Sequence, residues 1–201
     1  MTTKWLYRVS LCVVGLSASS LPAFGAPSPY SNAWGVKAHY ATSEIAQNFS
    51  GSMRKAVFPK QTYTFGAAVE FAPRNWSWHG PSAYFQAGAD FWHSNFSGTN
   101  KNLGIFYFAP VIRFSFFEDA VITPFLEASA GPAMMTHTRF ANRNLSIHYT
   151  FRDMLGVGAS FCHLKRCAIG IHVLHNSNAN FSKPNRGMSI WPSFSFAYRF
   201  Y

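Results

Sequence analysis

The chain has 201 residues, of which 18% are aromatic and only 12% charged, and its formal net charge is +10. So many aromatic residues exclude a disordered chain, because the chain can bury a large apolar surface. The body of the chain holds no run of about 18 apolar residues, which excludes a bundle of membrane-spanning helices. Abundant aromatic residues without long apolar runs are typical of a membrane β-barrel, in which only alternate residues face lipid.

The start of the chain has the pattern of a secretory signal peptide, which we assign to residues 1–25. Lys4 and Arg8 form a basic start, an apolar run follows, and a small-x-small cleavage pattern ends at Gly25. Cleavage there leaves residues 26–201 as one outer-membrane domain. Export excludes nucleic acid as the partner of the basic charge and leaves an anionic lipid surface, the alternative being a generally basic surface with no particular partner.

Apolar residues alternate with small or polar residues along the rest of the chain, and turn residues divide this pattern into eight segments. The predicted strands are 31–42, 61–72, 82–94, 103–117, 121–137, 147–162, 167–178 and 187–201. Apolar residues on one face and polar ones on the other predict an all-β fold, an eight-stranded antiparallel transmembrane β-barrel. An even number of strands closes the sheet and leaves no unpaired edge in lipid.

The predicted connections alternate in character along the chain. Polar loops follow the first, third, fifth and seventh strands, whereas the turns at 118–120 and 163–166 are short. Short turns on the periplasmic side place both termini in the periplasm and the longer loops outside the cell. Because side chains fill the lumen of an eight-stranded barrel, we exclude transport and expect the function on the loops or the outer wall.

Cys162 and Cys167 bracket the turn at 163–166. In an oxidising compartment the two residues can form a disulfide. Strand alternation puts them on opposite faces, which argues against ideal disulfide geometry, so the bond stays open at this stage. Together with His163 they are short of ligands for a metal site, and we predict none.

The seventh predicted strand carries the chemically active side chains. His175 and Ser177 continue the face of Ile169, Ile171 and Val173, which is the predicted lipid face. Residues i and i+2 of a strand lie about 7 Å apart on one face, so the two side chains can meet. The imidazole can then take the proton of the serine hydroxyl, which is a weak nucleophile unaided. The alternative is a strand end that enters the polar head-group zone and has no catalytic role.

A motif connects this strand to the last one. His175-Asn-Ser-Asn-Ala179 is followed by Pro184-Asn-Arg-Gly187 and an aromatic final strand. In this block, residues 168–201, the chain resembles the lipid A 3-O-deacylase (PagL) family of outer-membrane esterases. The resemblance implies hydrolysis of the ester-linked 3-hydroxyacyl chain at position 3 of lipid A, without a metal or organic cofactor.

The resemblance also implies roles for individual residues. His175 matches the catalytic base and Ser177 the nucleophile. Asn178 matches the contributor to the oxyanion hole, through its amide or its backbone N–H, and Asn185 matches a structural asparagine of the following loop. The implied partner is lipid A or lipopolysaccharide in the bacterial outer membrane, with the active site facing the outer leaflet. Association into a homodimer stays open.

One position departs from the family pattern. Two residues after Gly187, where the family has a glutamate that orients the histidine, this chain has Ser189, and no Asp or Glu follows Asp153. Three interpretations follow. Ser189 orients His175 by a neutral hydrogen bond, Asp153 replaces the acid from the preceding strand, or the barrel is non-catalytic and serves adhesion or envelope integrity. Asp153 shares the lipid-side parity of its strand, and antiparallel pairing through the short turn at 163–166 can bring it beside 175–177. The competing interpretation of Asp153 is a structural carboxylate paired with Arg152 or with loop residues.

Basic residues in the predicted outer loops are candidates for holding the phosphates of lipid A, the alternative being a solvated loop surface. They are Lys101, Arg139, Arg143, Lys183 and Arg186.

Overall fold

The computed structural model describes residues 33–43, 61–73, 81–96 and 100–200. The predicted signal peptide lies outside these residues. No helix within the described ranges is long and apolar enough to cross a membrane.

Eight long strands, one short hairpin and a 3₁₀ turn (His163–Lys165) make up the regular structure of the described residues. The long strands are β1 (Ala33–Thr42), β2 (Thr62–Ala72), β3 (Pro81–Ser94), β4 (Asn102–Ser115), β5 (Thr123–Met135), β8 (Tyr149–Phe161), β9 (Cys167–Ser177) and β10 (Met188–Phe200). The hairpin consists of β6 (Arg139–Phe140) and β7 (Arg143–Asn144) and was not predicted. The long strands close antiparallel in the order β1-β10-β9-β8-β5-β4-β3-β2, which confirms the predicted eight-stranded barrel.

Alternation along each strand produces two different faces. In β9, Ile169 and Ile171 are 50% and 43% exposed, whereas His172 and Leu174 are 2% and 1% exposed. Every long strand turns large apolar side chains outward, for example Trp34, Phe65, Phe91, Phe106, Leu126, Leu155, Ile171 and Phe196. An apolar surface of this extent is stable against lipid and would cause aggregation in water.

Buried ion pairs fill the lumen, as expected for eight strands. Glu127 accepts hydrogen bonds from Lys37 at 2.9 Å and from Arg113 at 2.6 Å. Asp90 accepts one from Arg152 at 2.8 Å. Charges buried this deeply must be paired. Arg113 and Glu127 are opposite each other on the adjacent strands β4 and β5, whereas the Lys37–Glu127 and Asp90–Arg152 contacts join strands that are not adjacent, across the lumen.

Cys162 and Cys167 form a disulfide with a Cα–Cα distance of 5.5 Å. Because β8 ends at Phe161, Cys162 belongs to the turn, where its φ of 67° departs from strand geometry. The objection from opposite strand faces therefore does not apply. The bond closes the turn between β8 and β9.

The β5–β8 and β9–β10 connections lie at one end of the barrel, which we call the loop end. The β6–β7 hairpin packs into this end, where Phe140 and Leu145 are buried. The Phe140 ring contacts Trp92 edge-on, with a centroid distance of 6.2 Å. This apolar contact anchors the β5–β8 connection to the barrel.

Candidate active site

A β-bulge in β10 decides which way the loop-end residues of this strand face. Between Ile190 and Ser193, three residue steps of β10 span two of β9. The bulge contains Pro192, which has no backbone N–H for the ladder. Outward and inward positions exchange across a bulge of this kind. Ser189 consequently faces outward, although uninterrupted alternation from Phe194 would turn it into the lumen.

Three outward-facing residues lie in register across three neighbouring strands. His175 of β9 is opposite Asp153 of β8 on one side and opposite Ser189 of β10 on the other. Nδ1 of His175 and Oγ of Ser189 form a hydrogen bond of 2.7 Å. Asp153 makes no hydrogen bond or ion pair with the imidazole in the described part of the chain. Both candidate orienting groups thus flank the histidine, and only Ser189 bonds to it directly.

Ser177 lies two residues nearer the loop end on the same outward face, opposite Phe151 of β8. Within the described ranges no hydrogen bond joins it to His175. A methyl group built on Gly187 would lie 3.0 Å from Cε1 and 3.3 Å from Nε2 of His175. Gly187 directly precedes β10 and, in the register of that strand, lies opposite Ser177. The Nε2 edge of the His175 ring therefore faces the cross-strand pair of Gly187 and Ser177. Catalytic hydrogen bonds are often long before substrate binds and tighten afterwards.

Asn178 is fully buried and joins segments of the loop end. Its Nδ2 donates to the carbonyl groups of Leu145 at 2.6 Å and Ser182 at 2.8 Å. Its Oδ1 accepts the backbone N–H of Asn180 at 3.0 Å. Its own backbone N–H donates to Oδ1 of Asn185 over a longer distance, 3.3 Å. The side-chain amide is therefore committed to the fold, and the backbone N–H is the more available donor.

Arg143 and Arg186 bring two positive charges together at the loop end. The backbone N–H of Arg186 donates to the carbonyl oxygen of Asn144 at 3.0 Å, so the β9–β10 loop lies against the hairpin. Burial and the Arg186 guanidinium lower the pKa of Arg143 below its usual value. Neither 136–148 nor 178–187 contains an acidic residue, so an anion bound here would relieve the repulsion. Arg143 is buried, whereas Arg186 is exposed, as are the other basic loop candidates Lys101, Arg139 and Lys183.

The sequence did not indicate two contributors to this geometry. One is Gly187, whose hydrogen side chain leaves room for the His175 ring; its place in the Pro-Asn-x-Gly motif was the available signal. The other is Leu145, whose carbonyl oxygen holds Asn178. It follows a hairpin whose strands are only two residues long, too short for a periodic signal.

An apolar outer wall, a closed antiparallel sheet and a polar row at one end of that wall define an outer-membrane β-barrel with a candidate site on its exterior. The family model described as Lipid A 3-O-deacylase (PagL) matches residues 61–199. The chain is also 31% identical over 158 residues to the lipid A deacylase PagL of Pseudomonas aeruginosa, covering 78% of this chain and 88% of that protein. The chain belongs to the lipid A 3-O-deacylase (PagL) family, which confirms the resemblance.

One solved structure shows the same fold. The crystal structure of the outer membrane enzyme PagL superposes with a TM-score of 0.61 at 23% identity, covering 83% of this chain and 97% of that one. Neisserial surface protein A gives a TM-score of 0.48 at 12% identity, with 84% and 96% covered.

Proposed function

We propose that this chain is a lipid A 3-O-deacylase that removes the 3-hydroxyacyl chain at position 3 of lipid A by serine esterase chemistry. The observation that carries the proposal is the 2.7 Å hydrogen bond between Ser189 and Nδ1 of His175, with Ser177 on the same outward face. Family membership supports both the substrate class and the reaction.

The wall below the site suits a substrate that stays in the membrane. Ile169, Ile171 and Val173 lie below His175 on the outward face of β9 and are exposed. The acyl chains of a lipid in the outer leaflet would pack against this surface and bring the ester to the level of Ser177. The site in this proposal faces the outer leaflet, and both ends of the chain lie in the periplasm.

Acylation begins with the tautomer of His175 that carries its proton on Nδ1. Nδ1–H donates to the Ser189 hydroxyl, which leaves Nε2 to accept the proton of Ser177 as its Oγ attacks the ester carbonyl. The backbone N–H of Asn178 stabilises the oxyanion. The bond between the carbonyl carbon and the sugar oxygen then breaks, and Nε2 returns its proton to that oxygen.

Deacylation repeats the sequence with water as the nucleophile. His175 takes a proton from water, the resulting hydroxide attacks the acyl carbonyl, and the bond to the Ser177 oxygen breaks. Nε2 then returns the proton to Ser177. The products are the 3-hydroxy fatty acid and lipid A with a free 3-hydroxyl, so no cofactor is required.

The Arg143–Arg186 pair supplies a further contact to lipid A in this proposal. Arginine binds phosphate oxygens through charge-assisted hydrogen bonds. Arg186 directly precedes Gly187, which lies against the His175 ring. A phosphate held by the arginine pair would therefore fix the sugar close to His175 and Ser177.

Lipid A mass spectra from cells that express the protein test this function. Cells with the unaltered chain should lose one 3-hydroxyacyl group from lipid A, and cells with Ser177→Ala or His175→Asn should not. Equal amounts of folded barrel, measured by heat-modifiable gel mobility, are the control. If all three spectra are the same, the chain is a non-catalytic barrel that serves adhesion or envelope integrity.

A further inference from the structure

His175 has a different polar neighbour on each side. In an antiparallel pair, residues directly opposite each other on one face have Cβ atoms about 4.5–5.5 Å apart. Asp153 and Ser189 both stand in this relation to His175, from β8 and β10 respectively. The imidazole is therefore flanked by a carboxylate on one side and a hydroxyl on the other.

The Ser189 hydroxyl can perform only part of the work of a triad acid. Its hydrogen bond to Nδ1 fixes the rotation of the His175 ring and the position of the ring proton. A hydroxyl is neutral, however, and gives little stabilisation to the positive charge that the imidazole acquires when it takes a proton. In the Ser-His-Asp arrangement one carboxylate supplies both effects.

Asp153 is placed to supply the missing charge. Its chain neighbour Arg152 points into the lumen and bonds Asp90 at 2.8 Å, and within the described ranges no ion pair joins Arg152 to Asp153. On β5 the residue opposite Asp153 is Ala130, which carries no charge. Among the described cross-strand neighbours of Asp153, His175 is thus the one that can become a cation.

We infer that the work of the triad acid is divided between two residues on opposite sides of His175. Ser189 orients the ring and fixes its tautomer. Asp153 is a positioning residue that acts through the histidine, because its carboxylate stabilises the imidazolium formed when His175 takes the proton of Ser177. This inference rests on the proposed esterase function and explains how His175 acts as the base without the usual glutamate.

The kinetics of purified variants distinguish the contribution of Ser189 from that of Asp153. The substrate is lipid A in mixed micelles with a nonionic detergent. Asp153→Asn should lower kcat about 10²-fold, the effect of removing a unit charge some 5 Å from a developing charge at moderate dielectric, with KM within twofold. It should also move the acid limb of the pH profile to lower pH, because the imidazolium loses a neighbouring negative charge. Ser189→Ala should lower kcat without moving that limb.

A carboxylate returned from the other side provides the decisive comparison. Adding Ser189→Glu to Asp153→Asn should restore kcat at least tenfold and move the acid limb back, whereas Ser189→Glu with Asp153 in place should change both much less, because the charge is already present. A purely structural Asp153 would give Ser189→Glu the same effect in both backgrounds. Asp119→Asn, in the β4–β5 turn, is the matched control and should behave as the unaltered protein does. Heat-modifiable mobility verifies that each variant is folded.

The outcomes separate this inference from the proposed function. Three results would each overturn the division of roles: full activity of Asp153→Asn, an unmoved acid limb, or no restoration by Ser189→Glu in a folded double variant. Loss of activity in Ser177→Ala would in each case still support the esterase. If the unaltered protein releases no fatty acid at all, the proposed function itself fails.

Discussion

The Ser189 hydroxyl lies 2.7 Å from Nδ1 of His175 because one extra residue in β10 turns Ser189 to the outside of the barrel. The contact thus depends on the backbone of β10 as much as on the two side chains. It holds the proposed base in one rotamer before substrate arrives.

Replacing Ser189 by alanine should therefore lower kcat about tenfold, the value of one neutral hydrogen bond, and leave KM unchanged. Steady-state hydrolysis of lipid A in micelles measures both constants. Ser195→Ala, on the same strand below the bulge, is the control and should have no effect. An unchanged kcat for Ser189→Ala would show that the hydrogen bond does not orient the base.

Gly187→Ala should displace the His175 ring. The new methyl group would lie 3.0 Å from Cε1 and 3.3 Å from Nε2, so the ring must move by a few tenths of an ångström. Because small displacements of a catalytic group are costly, we expect kcat to fall about tenfold with little loss of stability. Gly104→Ala, which would place its methyl group 3.0 Å from Thr136 Cγ2, is the matched control. Equal effects of both variants on kcat would contradict the prediction.

Asn178→Ala should loosen the loop end. It removes both Nδ2 donors and the Oδ1 acceptor, and it leaves the buried carbonyl of Leu145 without this partner. We expect a loss of about 2–3 kcal/mol in local stability. Hydrogen exchange should therefore become faster in 136–148 and 178–187. Asn142→Ala, at an exposed position of the hairpin, should leave exchange unchanged, and the prediction fails if the two variants behave alike.

Glu127→Gln tests the lumen network. Lys37 and Arg113 would lose a buried negative partner, which costs about 3–5 kcal/mol when one member of a buried ion pair is removed. Urea unfolding in detergent, followed by heat-modifiable mobility, should give a much lower midpoint. Glu118→Gln, in the exposed β4–β5 turn, should change the midpoint little. A stable Glu127→Gln barrel would mean that the network does not depend on this charge.

Arg186→Gln should weaken substrate binding without changing the chemistry. Loss of one charge-assisted phosphate contact predicts a KM for lipid A about tenfold higher and an unchanged kcat. Lys183→Gln, in the same loop, is the control. With lipid A from which the phosphates have been removed, Arg186→Gln and the unaltered protein should have the same KM. A difference that persisted on that substrate would rule out phosphate as the ligand.

Much of the barrel could be predicted because its strands alternate without interruption. In β9 the outward apolar residues lead directly to His175 and Ser177, so the face of both followed from period two. The position of Asp153 beside His175 followed from antiparallel pairing through the short turn at 163–166.

The remaining features depend on contacts between residues that are distant in sequence. Asn178 bonds the carbonyl of Leu145, 33 residues earlier, and no local pattern marks that partner. The disulfide could not be decided because the left-handed conformation of Cys162 removes it from strand alternation. In β10 the inward and outward positions exchange at the bulge. The sequence signal for this was Pro192, which the alternation of apolar and polar residues does not by itself explain.

The bulge in β10 also affects how this protein should be compared with its homologues. Deleting Trp191 or Pro192 would remove none of the residues of the proposed mechanism, yet it would turn Ser189 into the interior of the barrel. A one-residue gap in an alignment at this point thus signifies more for activity than a substitution does. Sequence comparison across this segment should follow the inside–outside phase of each position before it follows residue identity.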